Sequence, residues 1–185
     1  MSKRVCPWWL GHLLASPLRR LAYNPAEIVR PYVQPGMTVL EPGPGMGFFT
    51  LELARKVGAS GRVIAVDIQP RMLDRLKRRA AKVGLLDRID VRLASANSMG
   101  LADLAGKVDF ILAFAVVHEF PDTNCFFSEV ATVSKRGARF LLAEPTGHVK
   151  PAEFEAELKA AAPAGFVLKD RPAIKRSHAA LLEKI

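Results

Sequence analysis

Residues 39–50 read Val39-Leu40-Glu41-Pro42-Gly43-Pro44-Gly45-Met46-Gly47-Phe48-Phe49-Thr50. The short apolar run from Met37 to Leu40 contains β-branched residues and predicts a buried strand. Phe48, Leu51, Ala54 and Val57 recur at helical spacing, which predicts a helix over 48–57. Glycines at 43, 45 and 47 lie between the two. They allow a tight turn that a ligand can approach without meeting Cβ atoms. The helix that follows aims its free N–H groups at the same space.

The chain keeps alternating on the C-terminal side of this unit. Strands are predicted at Val63–Val66, Ile89–Leu93, within Val108–Val117 and at Arg139–Ala143. Helices are predicted at Pro70–Val83, Asp122–Val133 and Pro151–Ala162, with Met72, Leu76, Ala80 and Val83 sharing one face of the first. Two short segments follow, Phe166–Lys169 and Ala179–Leu182. On the N-terminal side, Asn24 and Pro25 open a short helix over Ala26–Tyr32 that Gln34-Pro35-Gly36 ends. Strands alternating with helices predict a parallel sheet covered on both faces. Apolar strands such as Val63-Ile64-Ala65-Val66 and Phe110-Ile111-Leu112-Ala113 fit burial on both sides. Ligands of such sheets bind beyond the carboxyl ends of the strands, so chemistry is sought there.

The spacing at the first strand end narrows the ligand. A dinucleotide fingerprint is G-x-G-x-x-G, whereas the third glycine here comes one residue early and Phe48 stands in its place. No G-x-x-x-x-G-K-[ST] phosphate cradle is present. Glu41 opens the turn, and an acid there suits a cationic group better than a pyrophosphate. At the second strand end, Asp67 lies 24 residues after Gly43. An acid so placed accepts hydrogen bonds from ribose hydroxyls; its alternative role is to cap the helix opened by Pro70.

With these residues in view, 37–144 resembles the class I S-adenosylmethionine-dependent methyltransferases, in the small-molecule group that includes the quinone-biosynthesis and type 11 enzymes. Val39 to Thr50 resembles the family's first motif and Val63 to Asp67 its second. Asp109-Phe-Ile-Leu-Ala-Phe-Ala-Val-Val-His-Glu-Phe-Pro-Asp122 is similar to its fourth-strand motif, and Arg136-Gly137 into Arg139–Glu144 to its entry into strand five. The resemblance implies a Rossmann-like α/β fold. Its sheet has seven strands in order 3-2-1-4-5-7-6, with strand seven antiparallel and helices on both faces. It implies that Gly43, Pro44, Gly45 and Gly47 pass the methionine moiety of S-adenosyl-L-methionine and that Glu41 sits near its ammonium end. Asp67 then takes the ribose hydroxyls, Ile68 packs on adenine, and Phe114 belongs to the same set. After strand three the family often carries Gly-Asp. Here the run is Ala94-Ser95-Ala96-Asn97, so the adenine contact falls to Asn97 or, alternatively, Ser95, with Ala96 in the same cofactor-binding set.

Methyl transfer needs an aligned nucleophile and sometimes a base. The strand-end candidates are His118 and Glu119 after strand four, and Glu144 and His148 after strand five. His118 and Glu119 are the catalytic expectation, because an imidazole titrates near neutrality. The bland alternative is that His118 only packs beside the cofactor. Cys6, His12, His118 and His148 lack metal-ligand spacing, so no metal is expected.

Length and charge bound the rest. The 185 residues suit one methyltransferase domain, 1–185, with 1–22 as an N-terminal cap or lid and 23–185 as the cofactor-binding core. Half the residues are apolar and 24% are charged, which excludes a disordered chain, and two cysteines exclude a disulfide framework. No run is long enough to span a membrane. Pro7 and His12 break the N-terminal run that imitates a signal peptide, so a cytoplasmic location is expected. The acceptor is expected to be a small molecule; the oligomeric state is not determined.

The formal net charge is +9, and residues 62–92 carry nine Lys and Arg against four Asp. Arg71, Arg75, Arg78, Arg79 and Lys82 recur at helical spacing. They read as one solvated face or, alternatively, as a contact for RNA or acidic lipid. Glu41–Gly47 also resembles the first motif of the rRNA adenine dimethyltransferases. Those enzymes hold a flipped base with an Asn-Pro-Pro-Tyr type motif after strand four, where this chain has Ala113-Phe114-Ala115-Val116. A non-catalytic cofactor-binding module is the third reading.

Overall fold

The computed structural model describes residues 23–95 and 98–185. The expected cap or lid over 1–22 and the expected adenine contacts Ala96 and Asn97 lie outside the described residues. The described residues fall into two compact units, one ending at Gly100 and the other starting at Leu101.

The first unit opens with helix α1 (Pro25–Val29), whose N-cap is Asn24 and whose first residue is Pro25. It is shorter than the predicted Ala26–Tyr32 because the chain tightens into a turn, with Tyr32 N–H bonded to the Val29 carbonyl. Strand β1 (Thr38–Pro42), helix α2 (Thr50–Val57) and strand β2 (Arg62–Asp67) follow. Helix α3 (Pro70–Lys82) and strand β3 (Ile89–Leu93) complete the unit. β2 pairs in parallel with both β1 and β3. α2 begins two residues later than predicted, since the glycine turn runs on through Phe49. α3 starts at Pro70, whose missing N–H costs nothing at a first helical position. It ends where Gly84, at φ +68°, lets Leu85 bond back to the Ala80 carbonyl. Val39, Leu40, Leu53, Val57, Val63, Ile64, Met72 and Leu76 are buried here.

The second unit holds strand β4 (Val108–Phe114), helix α4 (Thr123–Val133) and strand β5 (Ser134–Pro145). Helix α5 (Pro151–Ala161) and strands β6 (Phe166–Asp170) and β7 (Ser177–Lys184) follow. Asp122 is the N-cap of α4 rather than its first residue; its carboxylate accepts from the N–H groups of Asn124 and Cys125. β5 starts five residues before the predicted Arg139. The register against β4 shifts between Val108 and Phe110, and Gly137 at φ +78° fits a bulge on the β5 side. β4 and β5 are parallel, whereas β7 runs antiparallel to both β5 and β6. The core is aromatic. Phe126, Phe127, Phe140 and Phe166 are buried, with ring centroids 5.1–6.5 Å apart, and each is worth roughly 1.5–3 kcal/mol over an exposed position.

The strand order is β3-β2-β1-β4-β5-β7-β6, as the sequence resemblance implies. Among the described residues, no helix is long and apolar enough to cross a membrane.

Candidate active site

In the first unit, Glu41 is buried near the end of β1, 4% exposed, and pairs in register with Ala65 of β2. The chain then turns: Gly43 N–H donates to the Val66 carbonyl and Gly47 N–H to the Pro44 carbonyl. Gly45 and Gly47 have φ of +53° and +84°, a region that side chains resist. Their surroundings differ. A Cβ on Gly47 would run into Leu76 of α3, whereas a Cβ on Gly45 would meet no described residue within 4 Å. Gly45 therefore borders open space.

Asp67 ends β2 beside this turn. Its carboxylate accepts the N–H of Gln69 at 2.9 Å, and the backbone N–H groups of Gly45 and Ile68 also favour its charge. Asp67 does not cap α3: the N-cap is Gln69, no described side chain bonds the first turn of the helix, and the N–H that Asp67 accepts belongs to Gln69 itself. Burial penalises the charge and outweighs these donors, so the carboxyl sits above the usual aspartate range. Ile68 is 46% exposed, and Leu93, in register with Asp67 across β2 and β3, is 61% exposed. Two large apolar side chains thus flank an acidic strand end. Leu93 is absent from the expected site residues; its position last in a predicted strand is the available signal. Ser95 is occupied locally: its hydroxyl and backbone form a turn with Ser98.

Arg79 is also absent from the site expectation. Arg71, Arg75, Arg78 and Lys82 are exposed, as a solvated face requires. Arg79 instead turns back and donates from Nη1 to the carbonyl of Met46, inside the glycine turn.

In the second unit, β4 ends at Phe114, which is buried. Ala115 then takes φ +58°, an uncommon conformation for a residue with a Cβ, and its N–H donates to the Ala143 carbonyl of β5 at 2.7 Å. A single tight turn follows, Val117–Glu119. Glu144, near the end of β5, is fully buried beneath this turn. Its Oε1 accepts N–H bonds from Val117 at 2.7 Å, Val116 at 3.2 Å and His118 at 3.4 Å. Its Oε2 lies 2.5 Å from His118 Nδ1. Burial works against an imidazolium at His118. The hydrogen bond and charge of Glu144, with the charges of Glu119 and Glu157, outweigh it and lift the pKa above 6.5. His148 is exposed, its ring edge-on to that of His118 at 6.0 Å.

A methyltransferase-domain family matches residues 33–175, most of the chain. The chain belongs to this family, of the class I S-adenosylmethionine-dependent type. This methyltransferase domain is 30% identical over 110 residues to arsenite methyltransferase of Halobacterium salinarum, covering 60% of the chain and 27% of that protein. It is 29% identical over 112 residues to the ubiquinone/menaquinone biosynthesis C-methyltransferase of Klebsiella pneumoniae, covering 60% of the chain and 44% of that protein. The domain thus spans less than half the length of these curated relatives. A solved S-adenosylmethionine-dependent methyltransferase from Aquifex aeolicus has the same fold, with a TM-score of 0.85 at 24% identity, over 97% of this chain and 98% of that one.

Proposed function

We propose that this methyltransferase domain transfers a methyl group from S-adenosylmethionine to a small-molecule acceptor. The observation that carries the reading is the neighbourhood of Gly45 and Asp67: an acidic strand end faces the backbone of a glycine turn that, among the described residues, borders open space. The residues present fit the cofactor. A carboxylate is an acceptor for paired ribose hydroxyls, and Asp67 is the one at this strand end. Ile68 and Leu93 offer the apolar surface a purine ring needs. Gly43, Gly45 and Gly47 leave backbone rather than side chain along the path of a methionine tail, with Pro44 between them and Glu41 supplying negative charge near its ammonium.

When bound, S-adenosylmethionine supplies a methyl group made electrophilic by a sulfonium. The chain's own part is to orient and to move a proton. His118 acts as the base toward a hydroxyl or amine acceptor, and Glu119 adds negative charge beside it. Ser95 belongs to the same cofactor set in this reading. The small-molecule acceptor rests on the resemblance to the quinone-biosynthesis group. The lack of a base-clamping Asn-Pro-Pro-Tyr run after β4 counts against an RNA acceptor.

Calorimetric titration with S-adenosylmethionine and S-adenosylhomocysteine tests the cofactor half. Saturable 1:1 binding is expected, and absence of binding at millimolar ligand overturns it. Incubating the protein with methyl-labelled cofactor and a fractionated cell extract tests the acceptor. Label is expected in the low-molecular-weight fraction; label confined to RNA overturns the small-molecule assignment.

A further inference from the structure

The two oxygens of Glu144 do different things. Oε1 gathers the N–H groups of Val116, Val117 and His118, three successive donors of the turn after β4. Such a concave set of N–H groups suits an oxygen that carries negative charge. Ala115, just before them, holds a left-handed conformation that a Cβ makes costly. A strained turn persists only when its surroundings fix it, and here the buried carboxylate does so. Oε2 meets His118 Nδ1. A carboxylate only accepts hydrogen bonds, so Nδ1 must carry the proton. In the neutral ring the free lone pair then sits on Nε2.

We propose that Glu144 is a positioning residue that fixes both the turn after β4 and the tautomer of His118, leaving Nε2 as the proton-accepting atom. The role as a base rests on the methyl-transfer reading; the tautomer itself does not. In use, a hydroxyl or amine acceptor loses its proton to Nε2. The ring becomes an imidazolium whose Nδ1–H stays on Glu144. The substrate class is thereby narrowed to acceptors that must shed a proton, rather than nucleophiles that need no base. Among the described residues, the titratable groups that bear on His118 are Glu119 on the same turn, Glu144 on β5, Glu157 on α5, and the His148 ring. The carboxylates all favour holding a proton on the ring, and among them Glu144 is the one hydrogen-bonded to it.

Glu144→Gln separates this role from simple packing. Its amide oxygen can still accept from the turn, but its NH₂ group now faces Nδ1. His118 must then accept there and carry its proton on Nε2, the wrong atom for a base. Two-bond ¹H–¹⁵N spectra of the ¹⁵N-labelled full chain across pH read the tautomer directly. The wild type is expected to show Nδ1–H in the neutral ring. Glu144→Gln is expected to show Nε2–H, with the His118 midpoint lowered by about one pH unit or more. An Nε2–H tautomer in the wild type overturns the proposal, as does an unchanged tautomer in a folded Glu144→Gln. If that variant does not fold, the wild-type spectrum still decides, because it needs no substitution. S-adenosylhomocysteine binding is read separately, so failure of the cofactor reading and failure of the Glu144 assignment are distinguishable.

Discussion

The guanidinium of Arg79 donates to the backbone carbonyl of Met46, 33 positions earlier in the chain and inside the glycine turn. The bond ties α3 to a segment that contains little side chain of its own. A turn built on three glycines has high conformational freedom, and a charge-assisted bond to its carbonyl removes part of it. Arg79→Ala is therefore expected to weaken S-adenosylhomocysteine binding by roughly fivefold, about 1 kcal/mol, with little change in melting temperature. Arg79→Lys should recover only part of the loss, because an ammonium lacks the fork geometry. Calorimetry on the three proteins checks this; equal affinities would remove Arg79 from the site.

Gly45 and Gly47 should fail in different ways when given a methyl group. At Gly47 the new Cβ collides with Leu76, a core residue of α3, so Gly47→Ala should melt well below the wild type. At Gly45 the Cβ meets no described residue within 4 Å. Gly45→Ala has only the positive-φ penalty, about 1 kcal/mol, and should stay folded. Its methyl group projects into the space assigned to the cofactor, so affinity should fall by at least about tenfold. Thermal melts and cofactor titrations on both variants separate the two effects. A Gly45→Ala protein that binds normally would place the cofactor elsewhere.

The apolar strands were legible in the sequence because burial on both faces leaves runs such as Phe110–Ala113 with no polar break. The start of β5 was not. Ser134-Lys-Arg-Gly-Ala138 reads as a loop, and only pairing with β4 around a bulge makes it strand. Asp67 was legible as a strand-end acid, since position alone identifies it. Glu144 was named as a candidate, but its partnership with His118 spans 26 residues and is set by how β4 and β5 align, which no local spacing encodes. Arg79 illustrates a signal that was present and unused. Met72, Leu76 and Ala80 mark the buried face of α3, and Arg79 adjoins it while Arg71, Arg75 and Arg78 point away.

Asp67 carries a stability cost that its proposed role explains. Burial raises its pKa despite three N–H donors, so the folded protein holds that proton more tightly than the unfolded chain does. Above the folded pKa the ionised group opposes folding, and the penalty is relieved as pH falls through it. Asp67→Asn removes the charge and keeps an acceptor oxygen. The cofactor-free variant should melt at the same temperature or higher, yet bind S-adenosylhomocysteine about 10- to 100-fold more weakly, roughly 1.4–2.8 kcal/mol. A clear drop in melting temperature with unchanged affinity would mean that Asp67 serves only the turn into α3 through its bond to Gln69.

His118 has a pKa raised in the same direction, with a different consequence for pH. Burial lowers it, and the bond and charge of Glu144 together with Glu119 and Glu157 more than reverse that, so the folded value exceeds 6.5. A group that holds its proton more tightly when folded contributes fully below its unfolded pKa. That contribution disappears as pH rises through the folded pKa. The wild type should therefore lose stability from about pH 6.5 upward, over a range in which carboxylates no longer titrate. His118→Gln lacks the titrating ring, and its stability should vary less over the same range. Urea unfolding of both proteins at intervals from pH 6 to 9 reads the difference directly. The gap between the two curves should change with pH, the wild type giving up its ring-derived advantage as the imidazolium is neutralised. Two curves that run parallel across the range would show that His118 titrates alike in the folded and unfolded chains, and that the Glu144 contact does not hold a proton.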